Sequence, residues 1–385
     1  MMTHRRAVVA AQVLVMLPVL MGFAAFTIDV GTLYRARAEL QTAADSAALA
    51  GASAYSTDAM LQVRLDGNES AFNEVLSLVL TRGSQFSTLN DTLGSPTLVD
   101  TGDIATGWID VLSSSDPIDT GAAHSQCNAV RVTVRRAEDG GEGSNGPVEF
   151  FFAPIFGKMT GEASASAVAI FDDRFAGYDS EDGGSDVMPF TIHENVLAAE
   201  LAGGGDQFGY DPVLDTVTSG PDGVREINIY PHASVPGNFG LLNIGLPDQG
   251  VPGLADQIEN GVPPEDIEAE IGTPVLAYYD EEGSPLTYDI TGSPGLKASL
   301  ESAIETRIVD TIAFLIHDQV TGSGANATYR ITQMRFARVM GVKLKGAASS
   351  RGFWLQPVSY TGAGVRLGRS AGSSNGMVGR LVLAR

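Results

Sequence analysis

The start of the chain constrains its fold most. From Ala7 to Ile28 no side chain is charged, a run of roughly 22 residues against the ~20 that a helix needs to cross a bilayer. Arg5 and Arg6 precede the run and Asp29 ends it. In hydrocarbon, backbone N–H and C=O groups must be satisfied within the segment, so a run of this kind is read as one helix, and Pro18 inside it is tolerated. The basic pair places the start on the cytoplasmic side. Arg35 and Arg37 weaken that bias, but a long acidic remainder is translocated largely regardless of them. A cleaved signal is the rival reading. Its apolar core would span about 7–15 residues, shorter than this run, while small residues near Ala24 offer a peptidase site. A twin-arginine signal fits poorly, because Ala7-Val8-Val9 follows the pair.

The helical pattern continues past the membrane edge. Leu33, Ala36, Leu40, Ala43, Ala44, Ala47, Ala50, Gly51 and Ala54 recur mostly at spacings of three and four, and Arg35 can pair with Glu39 one turn on. Ala43/Ala47/Gly51 and Ala44/Ala48/Ala52 form small-residue rows that let another backbone approach closely. The candidate packing face is Ala43, Asp45, Ala47 and Gly51. It packs either on the chain's own globular part or on a partner subunit, and Asp45 either faces solvent or pins the register.

The formal charge of −22 over 385 residues argues against nucleic-acid binding. Residues 171–292 hold twenty-four acids against Arg174 and Arg225, whereas residues 293–385 hold twelve bases against four acids. This asymmetry reads as solvated faces, or as an acidic middle that docks on a basic end. Cys127 is the only cysteine, so there is no internal disulfide, and it reads as a small buried hydrophobe.

Arg5-Arg6, the run with Leu17-Pro18, Ile28-Asp29-Val30-Gly31, and the stretch from Leu40-Gln41 through Ala43-Ala44-Asp45 to Ala47-Ala48-Leu49-Ala50-Gly51-Ala52 resemble the N-terminal module of Flp pilus-assembly Tad proteins, the TadE/TadG-like family. Residues 127–171 resemble the strand, short helix and closing strand of that family, and 226–245 and 324–346 resemble a longer subgroup with an extra C-terminal region. The resemblance implies a single-pass protein of the bacterial cytoplasmic membrane with its bulk on the extracytoplasmic side. It also implies a structural or accessory role in Flp (type IVb) pilus assembly or anchoring, with other pilus components or further copies as partners. Two family features are missing. No prepilin-type Gly followed by Glu-Tyr precedes the run, so prepilin processing is not expected. Neither Asp110-Val111-Leu112-Ser113-Ser114 nor Asp179-Ser180-Glu181 fits the D-x-S-x-S metal motif of a von Willebrand A domain.

The expected fold class is α+β. A transmembrane anchor (1–28) continues into a pilin-like helix with a small α+β domain (29–171), then an acidic Gly-rich linker (172–190), then a β-rich, mostly antiparallel C-terminal domain (191–385). Ala59–Leu80 reads as partly helical. Pro96–Val99, Gly107–Val111 and Ala129–Val134 read as strands, and the Gly-rich 138–147 as a loop. In the C-terminal domain Leu254–Asn260, Pro264–Ile271 and Leu296–Glu305 read as helices. Ile308–Ile316, Tyr329–Lys345 (bent at Gly341), Phe353–Tyr360 and Arg380–Leu383 read as strands.

No residue pattern identifies catalysis. His4, His124, His193, His232 and His317 stand at no metal-ligand spacing, and His193-Glu194 lacks the second His of H-E-x-x-H. Gly368-Arg369-Ser370-Ala371-Gly372 matches the nucleophile elbow, yet no Asp, Glu or His follows it to complete a triad. The linker does not alternate its acids as a calcium loop does. The expectation is therefore no enzyme, no cofactor and no metal. The alternative is an anchored or secreted ligand-binding module or hydrolase with its site in 191–385.

Overall fold

The computed structural model describes residues 2–111, 117–138, 144–184, 186–248, 250–369 and 376–384. Ser113, Ser114, Ser370 and much of the Gly-rich loop after Glu138 lie outside them. The chain forms two compact units: 1–54, 76–170 and 382–385 make the first, and 55–75 with 171–381 the second.

The first unit is built on helix α1, Met2–Ala52, which continues without a break past Pro18 for 51 residues. The hydroxyls of Thr27, Thr32 and Thr42 donate to the carbonyls of Phe23, Ile28 and Ala38, one turn back. Each polar side chain is thus satisfied on the helix itself. Arg35 pairs with Glu39 at 2.7 Å. From Ala36 onward one stripe is fully buried, with Ala36, Leu40, Ala43, Ala44, Ala47, Ala48 and Ala52 all at 0% exposure. It lies on a sheet in which Ala163–Asp172 pairs antiparallel with Ala129–Arg136, and that strand with Ile104–Gly107. The terminal strand Arg380–Leu383 takes the outer edge, beside Ala163–Asp172. Val130, Val132 and Val134 alternate inward along the middle strand, as its sequence requires.

Two strand expectations shift here. Only Ser95–Pro96 pairs, in a short ribbon with Asp91–Thr92. The strand expected at Gly107–Val111 instead ends at Gly107. A Cβ on Gly107 would stand 2.4 Å from the Asp119 carbonyl oxygen, so the crossing chain closes that position.

The expected linker at 172–190 is a correction. Phe175–Asp179 is a strand with every residue buried, and Val187–His193 is a central strand buried through Ile192. Phe175, Tyr178, Val187, Met188 and Phe190 supply apolar faces that an acidic composition hides. The acids sit in the intervening turn, where Asp179 accepts from the N–H groups of Glu181 and Asp182. Gly177 serves close approach rather than freedom, since a Cβ there would meet the Leu276 carbonyl at 2.6 Å.

The second unit contains a sheet in the order Ile227–Asn228, Gly352–Pro357, Thr328–Lys343, Tyr288–Pro294, Asn238–Leu242, Val187–His193, Thr311–Thr321. The last of these also pairs with Thr328–Lys343, so five strands close into a ring. All pairs are antiparallel except Thr311–Thr321 with Val187–His193. The register of the long strand shifts between Val339 and Gly341, where the bend was expected. Ile312, Phe314 and Ile316 enter one core while Ala313 and Leu315 enter another. Burial on both faces explains the unbroken apolar run of that strand.

The acidic middle and the basic end do meet within this chain. Strands from both interleave in the ring, and Arg366 pairs with Asp179 and, at 3.3 Å, with Asp182. The guanidinium holds the Asp179 carboxyl below the usual range.

The second helix, α2 (Asp58–Asp66), also belongs to this unit, not to the 29–171 domain expected from sequence. Its Asp58 lies 3.5 Å from Arg338 and its Asp66 2.8 Å from Arg225, and its Arg64 stacks over Phe171 at 5.0 Å. The third helix, α3 (Glu69–Thr88), carries the chain from one unit to the other.

Candidate functional site: the apolar helix and its junction at Asp29

Among the described residues one helix is long and apolar enough to cross a membrane; its most apolar window has a mean hydropathy of 2.2 and is 11% buried. Leu14, Leu17, Leu20, Phe23 and Phe26 all project outward without protein cover. A helix bare on all sides in this way matches lipid as its solvent.

The bare stretch ends at Ala25, 8% exposed, and one turn further on stands Asp29, only 4% exposed. Its carboxylate accepts four hydrogen bonds from three successive backbone N–H groups. Oδ1 takes those of Phe151 at 2.7 Å and Phe152 at 3.2 Å; Oδ2 takes Phe152 at 3.0 Å and Ala153 at 2.6 Å. These donors open the short 3-10 turn Ala153–Phe156, inside a hairpin whose arms are Val148–Glu149 and Thr160–Gly161. Proline at the start of that turn, Pro154, has no N–H to leave unsatisfied. Asp29 therefore bolts the helix to the folded domain where the apolar run stops. Sequence reasoning noted this acid and assigned it no partner. The partner lies over a hundred residues away in the chain, and the Phe-Phe-Ala-Pro-Ile-Phe segment was the one available signal.

The structure brings Ala43, Ala47 and Gly51 together on one face and covers them from within the chain. A Cβ on Gly51 would stand 3.2 Å from Val130 Cγ1 and 3.4 Å from Val79 Cγ1, and one on Gly83 3.7 Å from the Ala47 carbonyl. The small side chains are spacers that let the sheet and α3 approach. As a partner surface this face is a correction, because its own domain already occupies it. Asp45 stands at its edge, half-buried, accepting from Gln41 Nε2 at 2.8 Å, while that amide also reaches the Ser166 carbonyl.

The second unit holds a cavity of about 440 Å³ lined by His193, His232, Ser234 and Asp318 among others. His193 Nδ1 accepts from the Asn195 N–H at 3.1 Å, capping the helix that follows. His232 Nε2 is bonded to the Asn228 carbonyl. Asp318 is held by Arg330 through two bonds of 2.8 and 2.6 Å, which keep its carboxyl below the usual range. Both His side chains are thus engaged in holding local structure. Behind the cavity His317 is fully buried, with Nδ1 2.9 Å from Thr191 Oγ1 and Nε2 without a partner. Burial, and then the charge of His193, lower its pKa to about 4. Among the described residues no three His, Cys, Asp or Glu side chains converge as a metal site.

Residues 5–54 match the family model of putative Flp pilus-assembly TadE/G-like proteins. The match covers α1, the Asp29 junction residue and the small-residue rows, and it connects this module to Flp pilus assembly at the level of the family. No curated protein and no solved structure matches the chain.

Proposed function

We propose that the chain is a single-pass bacterial envelope protein that serves Flp pilus assembly or anchoring as a structural component. In this reading the Arg5-Arg6 end is cytoplasmic and both folded units lie outside the cytoplasmic membrane. The observation that carries it is the bare apolar length of α1 inside the matched stretch, bolted at Asp29 to a folded domain. A helix held this way transmits position from the bilayer to the domain and needs no reaction. Partners are other pilus components or further copies, met on surfaces other than the Ala43–Gly51 face. The test is crosslinking in intact cells, followed by membrane extraction and mass spectrometry. Recovery of an uncleaved N-terminus together with pilins or the secretion machinery supports the proposal. A cleaved, soluble chain without them overturns it.

A second reading, a ligand-binding module or hydrolase, rests on the cavity lined by His193, His232, Ser234 and Asp318. Under it, replacing Ser234 or Asp318 abolishes a binding or hydrolytic activity of the full chain while leaving its fold intact.

A further inference from the structure

We propose that the hairpin tip Phe151–Met159 is a second membrane contact, seated in the headgroup–acyl boundary of the leaflet through which α1 emerges. The inference rests on α1 spanning the bilayer.

Three observations carry it. The first is exposure: Phe151, Ile155, Phe156 and Met159 are 82%, 79%, 78% and 64% exposed on one short tip. No acid lies between Glu149 and Glu162, and the only charge in that interval is Lys158. Bulky apolar side chains with one cation on a flexible stem are the composition that settles at a lipid interface, the ammonium reaching to the phosphates.

The second is depth. Asp29 grips the tip directly, at the first residue beyond the apolar run. One turn further toward the membrane, on the same face, Ala25 is 8% exposed while its neighbours Ala24 and Phe26 are open. Protein therefore covers α1 about 4.5 Å inside the apolar run, at 1.5 Å of rise per residue. The first unit reaches past the end of the bilayer-crossing segment, and the tip held on Asp29 is the part placed to do so.

The third is backbone satisfaction, without which no loop enters low dielectric. The N–H groups of Phe151, Phe152 and Ala153 go to Asp29. Those of Phe150, Ile155 and Gly157 go to the carbonyls of Met159, Phe152 and Pro154 at 3.0, 3.1 and 3.0 Å. Gly157 takes the left-handed φ of 80° that closes the turn. Most of the tip's N–H groups are thus bonded, with its apolar side chains outward. Two contacts, one crossing and one lying in the interface, set the rotation and tilt of α1, which a single helix leaves free.

The test uses the full chain in vesicles of phosphatidylethanolamine and phosphatidylglycerol carrying brominated lipids. Tryptophan emission is read as the difference from the parent protein, whose Trp108 and Trp354 set the baseline. Phe156→Trp should lose emission most strongly to bromines placed just below the headgroups. Phe23→Trp, about 8 Å deeper along α1, should lose it to bromines placed midway along the acyl chains. If Phe23→Trp is quenched and Phe156→Trp is not, the tip stays out of the lipid and the inference falls while the anchor stands. A blue-shifted but unquenched Phe156→Trp means that protein covers the tip, which also overturns it. If neither is quenched, the anchor itself fails.

Discussion

At the scale of single residues, Asp29 and His317 show what burial does to a polar group. Asp29→Ala leaves three N–H groups without acceptors at a site that is 4% exposed. Losing that acceptor should lower the stability of the first unit and loosen the hairpin from α1. Asp29→Asn keeps one acceptor oxygen and should be less destabilising than Asp29→Ala. Denaturant unfolding of the detergent-solubilised chain, or protease cutting within 150–159, measures both. His317 sets a pH dependence for the second unit. Its pKa is lowered from 6.5 to about 4, so the unfolded chain takes up the proton first as pH falls. The stability tied to the neutral ring is complete above pH 6.5 and drains away as pH drops toward 4. The total is about 3 kcal/mol, at 1.36 kcal/mol per pKa unit. Denaturation midpoints of His317→Gln should change less between pH 7 and pH 5 than those of the parent. Neither environment was legible in the sequence, because Asp29 meets Phe151 and His317 meets Thr191 only across long separations.

At the scale of elements, α1 is two helices in one. Its first half needs no protein neighbour, and its second half is unusable without one. Gly51→Leu pushes a branched side chain into a position where Val79 and Val130 already stand at contact distance, and Ala47→Leu enlarges a side chain that is fully buried. Each should destabilise the first unit by about 1–3 kcal/mol through overpacking. Ala24→Leu, on the bare apolar stretch, should leave the melting temperature unchanged. Thermal unfolding of the three variants side by side checks the contrast; equal melting temperatures would refute internal packing of the Ala43–Gly51 row. The periodicity of that row was plain in the sequence. Its partner was not, since small residues admit a foreign helix and a home sheet equally well. The strand Phe175–Asp179 was hidden for the opposite reason: it is buried on both faces and shows no alternation, and the acids and glycines around it outweighed Phe175, Ala176 and Tyr178.

At the scale of the whole chain, the units do not follow sequence order. Residues 55–75 belong with the ring of strands, and 382–385 return to the helix-bearing unit. A fragment cut at 191–385 therefore loses α2, the buried strand Phe175–Asp179 and most of Val187–His193, which two ring strands need as a neighbour. It should aggregate or show no cooperative melt, whereas the full chain should melt cooperatively in that region. Hydrogen exchange of the full chain should show 187–193 and 311–316 among its slowest amides. A 191–385 fragment that folds cooperatively would show that the ring tolerates loss of its central strand.

The sequence alone determined the elements whose information is local. The apolar run specifies a helix, because hydrocarbon admits few other backbones. Alternation specifies Ala129–Val134, which the structure extends to Arg136, proline with acids starts Pro264–Ile271, and the basic pair at Arg5-Arg6 bounds the apolar run. Tertiary structure alone decided what each of these touches. It chose the home sheet over a partner for Ala43, Ala47 and Gly51, and it turned an acidic, Gly-rich stretch into core strands. It also set a lone carboxylate against three N–H groups from a hairpin more than a hundred residues away. Such contacts depend on where distant segments meet in space, and a one-dimensional pattern does not encode that until the whole chain has packed.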